Sequence, residues 1–171
     1  MVHRFLRLAA LFIALSAGVS AFVPKTHAGE PGEMLMVDPQ TVKFAPIPGA
    51  PACVTAAPVR GDPAKGPSVL LVKLTPGCRV PWHWHTANEQ LMFVSGVGTL
   101  EMKNSKPLRL RAGAYALLPG RQIHQATCSS SCMFFNTADA IFDIHYVDES
   151  GKEIAADEAL KKRTPPTTQK K

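Results

Sequence analysis

Residues 77–96 read GCRVPWHWHTANEQLMFVSG, from Gly77 to Gly96. His83 and His85 lie two positions apart. Side chains alternate along a strand, so both imidazoles share one face. Trp82 and Trp84 then take the opposite face, against apolar neighbours. Glu89 follows four residues later, just ahead of the apolar run from Gln90 to Ser95. One face therefore offers two nitrogens and a carboxylate. That donor set suits a divalent transition metal, drawn from Mn, Fe, Co, Ni, Cu and Zn. Without a metal, two buried imidazoles and a carboxylate are costly to desolvate. His124, on a later strand after Pro119-Gly120, offers a third imidazole. Three His and one Glu leave two octahedral positions open for water, dioxygen or a bidentate substrate.

Working outward, short apolar segments alternate with turn signals. The expected strands are Thr41–Ala45, Ala52–Pro58, Ser68–Leu74, Trp82–His85, Gln90–Ser95 and Val97–Met102. Leu108–Leu110, Tyr115–Leu118, Ile123–Thr127, Met133–Thr137 and Ile141–Val147 continue the series. Arg60 to Pro67, Thr75-Pro76-Gly77 and Asn104 to Pro107 are turn chemistry. This rhythm predicts an all-β sandwich or barrel. No helical segments separate the strands, which excludes a parallel βαβ design. Glu153 to Lys162 is the one helical candidate.

The spacing carries a resemblance. Gly77, His83, His85, Glu89 and Gly96 match the first cupin motif at every defined position. Gly113, Pro119 and His124 match the second motif in part, since Arg121 stands where a Gly is expected and Cys128 replaces the closing Asn. Gly61 to Pro67 and Phe142 to Val147 are similar to flanks of small exported bacterial cupin-domain proteins. The resemblance covers roughly residues 40–150 and implies a cupin-type β-barrel, or double-stranded jelly roll. It also implies that His83, His85, Glu89 and His124 hold one metal. The cupin fold hosts dioxygenases, decarboxylases, isomerases, sugar binders and sensors, so fold does not settle activity. Two functions follow as expectations. One is a mononuclear-metal oxidoreductase or dioxygenase acting on a small oxygen-rich or acidic substrate. The other is a non-catalytic module that binds or senses a small ligand. Cupins commonly dimerise, and a homodimer is expected here.

Residues around the ligands have weaker claims. Arg79 shares strand parity with His83 and would set a cation at the mouth of the site. Gln90, Tyr115 and Gln125 are candidate hydrogen-bond partners of the ligands or substrate. His145 lies outside the motif, and a structural or surface role is expected of it.

The termini are separate matters. Arg4 and Arg7 precede an apolar run from Leu8 to Val19, and Ala21 and Ala28 are candidate cleavage points. This is the layout of a secretory signal peptide. Residues 1–28 read as that peptide, 29–51 as an N-terminal arm, 52–150 as the barrel domain, and 151–171 as a short helix with a disordered tail. No stable membrane anchor is expected after cleavage, and the mature protein is expected to be periplasmic or secreted. Loss of residues 1–28 removes Arg4, Arg7 and Lys25 and no acid, which lowers the formal charge from +6 to +3. Much of the remaining positive charge sits at Lys161, Lys162, Arg163, Lys170 and Lys171. That argues against a nucleic-acid partner, which needs basic residues clustered on the folded surface.

The chain has four cysteines. An oxidising compartment permits disulfides. Cys128 and Cys132 flank Ser129-Ser130-Ser131 and would meet if their segments pair as a hairpin, leaving Cys53 and Cys78. Four cysteines allow three connectivities, and spacing does not choose among them.

Overall fold

The computed structural model describes residues 35–161. The expected signal peptide and the basic tail beyond Lys161 fall outside the described residues. The strands are β1 Ala45–Pro46, β2 Val54–Arg60, β3 Ser68–Leu74, β4 Arg79–Trp84, β5 Glu89–Ser95 and β6 Val97–Met102. They continue as β7 Leu108–Arg111, β8 Tyr115–Leu118, β9 His124–Cys128, β10 Cys132–Ala138 and β11 His145–Tyr146, followed by helix α1 Ala156–Lys161. They form two antiparallel sheets, in the orders β1-β2-β3-β10-β5-β8 and β11-β4-β9-β6-β7. This is the expected all-β jelly roll with a short C-terminal helix.

The core follows from alternation. Leu70, Val72 and Leu74 of β3 point inward with Val54 and Ala56 of β2, and with Leu91 and Phe93 of β5. Leu100 of β6 and Leu110 of β7 meet them from the other sheet. Full burial of one such large side chain contributes about 1.5–3 kcal/mol. Phe93 and Phe134 stack with centroids 4.9 Å apart.

Two of the turns that cross between the sheets meet at one end. The β5–β6 turn passes at Gly96, and the β9–β10 turn passes at Ser131. A Cβ on Gly96 would lie 2.1 Å from the Ser131 carbonyl oxygen, and Gly96 has φ +87°. Only glycine fits that backbone-to-backbone crossing. Cys128 and Cys132 do form a disulfide, but not across a hairpin. β9 pairs with β4 and β6, whereas β10 pairs with β3 and β5, so the bond ties one sheet to the other. Cys53–Cys78 is the second disulfide, and it links the start of β2 to the start of β4. Gly77 N–H donates to Cys128 O, and Cys128 N–H to Cys78 O. Disulfides, crossings and backbone bonds thus close the same end.

Three expected elements differ. In place of a strand at Thr41–Ala45, Asp38 captures a turn: its carboxylate accepts Gln40 N–H and its carbonyl accepts Thr41 N–H. Pairing begins only at Ala45. Ile141–Val147 shrinks to β11, because the chain before it is spent on side-chain bonds. Asp139 accepts from Asn88 N–H, and Asp143 from Thr86 N–H. The helix starts at Ala156 and not at Glu153, because Glu153 bridges Val147 and Ile154 N–H donates to Tyr146 O.

Candidate metal centre

β4 ends and β9 begins at the other end of the barrel, where His83 faces His124 across the ladder. Alternation carries His85 inward with His83. Glu89 opens β5, opposite Ala138 and Leu118, and its neighbour Asn88 braces it. Asn88 donates to Asp139 through its backbone N–H and its side chain, while its Oδ1 accepts Gly120 N–H. All four residues are buried, His83 at 4 % exposure and Glu89 at 3 %.

Each imidazole is held by its Nδ1. His83 Nδ1 donates to Pro81 O at 2.6 Å, His124 Nδ1 to Gln122 O at 2.9 Å, and His85 Nδ1 to Asp143 O. A carbonyl only accepts, so all three protons sit on Nδ1 and all three Nε2 lone pairs are free. The histidine ligand atoms lie within 4.8 Å of one another. Glu89 Oε2 is 3.1 Å from His85 Nε2 and 3.9 Å from His124 Nε2. Two lone pairs at 3.1 Å repel unless a cation lies between them, either a proton or a metal.

Burial sets the titration. Desolvation holds His83 well below the ordinary imidazole value and pulls His85 and His124 to about 4. The imidazoles are therefore neutral near pH 7, the form that ligates. Desolvation also pushes the Glu89 carboxyl up, against the Asn136 hydrogen bond that lowers it. In the free protein a proton can occupy the His85–Glu89 gap; a divalent ion satisfies the same gap and all three nitrogens. The donor set fits a transition metal.

The ligand face opens into a chamber of about 80 Å³. Beyond the four polar groups its wall is Asn136 and apolar side chains, among them Val54, Leu70, Val80, Leu91, Phe134 and Phe142. Arg79 does not reach this chamber. A register shift between Val80 and His83 puts both of those inward, which reverses the parity of Arg79. Its guanidinium instead donates to Gln125 Oε1 at 2.7 Å, and Gln125 Nε2 donates to Glu101. Gln125 faces outward, one residue from His124. Gln90 and Tyr115 bond each other at 3.1 Å on the outer face of the six-stranded sheet. None of these residues lines the chamber.

Two supporting residues escape a spacing argument, and a third leaves a trace. Asp143 holds His85 through its backbone carbonyl, an atom every residue has. Its carboxylate reaches His145 Nε2 at 3.1 Å, while His145 Nδ1 meets Glu153 at 3.0 Å. His145 stacks on Trp84 at 3.9 Å, on the face away from the ligands, where Arg121 also lies over Trp84. This is a structural role, as expected. Tyr146, 1 % exposed, backs His83 and donates to Gly49 O. Asn136 was detectable as the one polar residue at an inward position of β10.

A jelly roll with this quartet at one end defines a single-domain cupin. Solved cupin structures share the fold. The polyketide cyclase RemF from Streptomyces resistomycificus superposes with TM-score 0.57 at 19 % identity, covering 67 % of this chain and 86 % of that one. An RmlC-like cupin from Shewanella frigidimarina gives 0.51 at 14 %, covering 60 % and 87 %. A cupin-like protein from Thermotoga maritima gives 0.50 at 16 %, covering 64 % and 86 %. No curated protein matches the chain. The ChrR cupin-like domain matches residues 32–141, more than half of the chain, and the chain belongs to that family.

The two disulfides suit a non-cytoplasmic environment. Among the described residues no helix is long and apolar enough to cross a membrane.

Proposed function

We propose that this chain is an exported, periplasmic or secreted cupin that holds one divalent transition metal on His83, His85, Glu89 and His124. The observation that carries this reading is the set of Nδ1 bonds, which turns three Nε2 lone pairs and a carboxylate toward one point. The metal serves a small-molecule ligand admitted to the apolar chamber. Bound there, a metal supplies Lewis acidity, and a redox-active one also supplies an electron path to dioxygen. The protein orients the donors, excludes water with its apolar wall, and keeps the imidazoles deprotonated.

An oxidoreductase of the dioxygenase type is the first form of this reading. One observation favours the second, a binding or sensing module: among the described residues the chamber wall has no titratable group besides the four ligands. Metal analysis of the purified mature protein separates them. Redox-active iron, manganese or copper at one per chain supports the enzyme, and zinc alone supports binding. His83→Ala is expected to weaken metal binding by more than the roughly 10–100-fold that loss of an outer partner costs. Metal at 100 times its Kd is expected to raise wild-type stability by about 2.7 kcal/mol and to leave His83→Ala unchanged. A metal-free wild type with an unshifted melting curve overturns the reading.

The partner in the expected homodimer is a second copy of this chain. Val94, Tyr115 and Leu117 support this, since they project exposed from the outer face of the six-stranded sheet. A monomer on a sizing column refutes it.

A further inference from the structure

Asn136 faces the chamber with one half of its amide unused. It lies on β10, inward like Phe134 and Ala138, and is 8 % exposed. Its Nδ2 donates to Glu89 Oε1 at 2.7 Å, two residues along the facing strand from its own partner Leu91. A metal-binding carboxylate only accepts, so this bond fixes which end of the amide is which. Oδ1 is left on the other side, buried, with no donor among the described residues. A buried acceptor in that state carries its desolvation penalty uncompensated. It is tolerated where a ligand supplies the missing donor.

The rest of the wall says what kind of ligand that is. Among the described residues no Lys, Arg, Ser or Thr lines the chamber. A sugar would find no array of partners there, and a multiply charged anion would find no cation except the metal. The volume, about 80 Å³, is about half that of a cavity that accepts benzene. The ligand that fits there is correspondingly small.

We propose that Asn136 Oδ1 is a specificity-determining acceptor that reads an O–H or N–H on a small, otherwise apolar ligand whose oxygen binds the metal beside Glu89. This deepens the metal-centre reading and rests on it. It replaces an oxygen-rich or acidic ligand with a compact apolar one that carries a metal-seeking oxygen and one adjacent donor.

Two hydroxamates test this. Acetohydroxamate and N-methylacetohydroxamate chelate a metal through the same two oxygens and differ in one N–H. Each is titrated calorimetrically into cobalt-loaded mature protein, with the cobalt absorption spectrum reporting that the metal is in place. Wild type is expected to prefer acetohydroxamate by roughly fivefold or more. Asn136→Leu is expected to bring the two affinities within about twofold while cobalt stays bound. Loss of the Glu89 bond alone would weaken both probes together and leave their ratio unchanged, so the ratio isolates Oδ1. Should Asn136→Leu not fold, Asn136→Ala carries the same comparison. Equal affinities in wild type, or a preference that survives the substitution, overturn the inference with the metal centre intact. Failure of wild type to take up cobalt overturns the metal reading itself.

Discussion

The two ends of the barrel are held by opposite means. At one end, two disulfides, a glycine crossing and backbone hydrogen bonds gather the turns at residues 51–54, 75–78, 95–97 and 128–132. At the other end, reached after four residues of β9 (roughly 13 Å), four buried polar groups face one another. They are held from outside through the carbonyls of Pro81, Gln122 and Asp143. The closed end is complete by itself. The polar end is complete only with a cation between its lone pairs. Covalent closure of one end lets the other bear that cost, a division of labour typical of sites built on a rigid scaffold.

The largest test breaks the closed end. Cys53–Cys78 spans 25 residues, and loop-closure entropy assigns it about 3.5 kcal/mol. Cys128–Cys132 spans 4 and is assigned about 2 kcal/mol. Serine replacement of the first pair should therefore lower the free energy of urea unfolding more than replacement of the second. If the ends are independent, metal affinity in both variants stays within about twofold of wild type. A large loss of metal affinity from the second pair would show that β9 transmits strain to His124.

The next test stresses the polar end with acid, in metal-free protein. His85 and His124 have folded values near 4, below the ordinary unfolded imidazole value. Between those values the unfolded chain binds more protons than the folded one, so stability falls as pH drops from 6.5 toward 4. Glu89 works the other way: its raised carboxyl lets the folded chain keep a proton that the unfolded chain has released. Three depressed histidines outweigh one raised carboxyl. The expected outcome is a net fall in the free energy of urea unfolding from pH 7 to pH 4.5. A flat profile across that window would mean that the imidazoles are hydrated, not buried.

Legibility from the sequence divides along the same line. The proposed ligand set is legible in alternation within β4 and in the resemblance to the two cupin motifs, because side-chain identity carries both. The jelly roll follows from short apolar runs and turn residues. What escaped was carried by backbone. The register shift after Val80 turned Arg79 outward, and Pro81 inside the strand, unable to donate to a ladder, was its only trace. The grip on His85 by Asp143 uses a carbonyl, which leaves no pattern. The Ser129–Ser131 turn resembles a hairpin loop in composition, yet it changes sheets. Which sheet a strand joins depends on long-range pairing, and a local turn does not encode that.

The smallest expected effect lies at Arg121, where the sequence departs from the second cupin motif. Arg121 has φ +64°, the left-handed region that a glycine occupies without cost. The departure is thus one of residue and not of shape. Its N–H donates to His85 O at 2.7 Å, and its guanidinium lies 4.9 Å from the Trp84 ring centroid. Arg121→Gly relieves a left-handed penalty of about 1–2 kcal/mol. It gives up a cation–π contact of about 0.5–1 kcal/mol and adds backbone freedom to the unfolded chain worth up to about 1 kcal/mol. The terms nearly cancel, so the change in unfolding free energy should stay within about 0.5 kcal/mol. Metal affinity should hold, because the backbone bond to His85 persists. A loss above about 2 kcal/mol would show instead that the Arg121–Trp84–His145 stack is what fixes the outer side of the metal end.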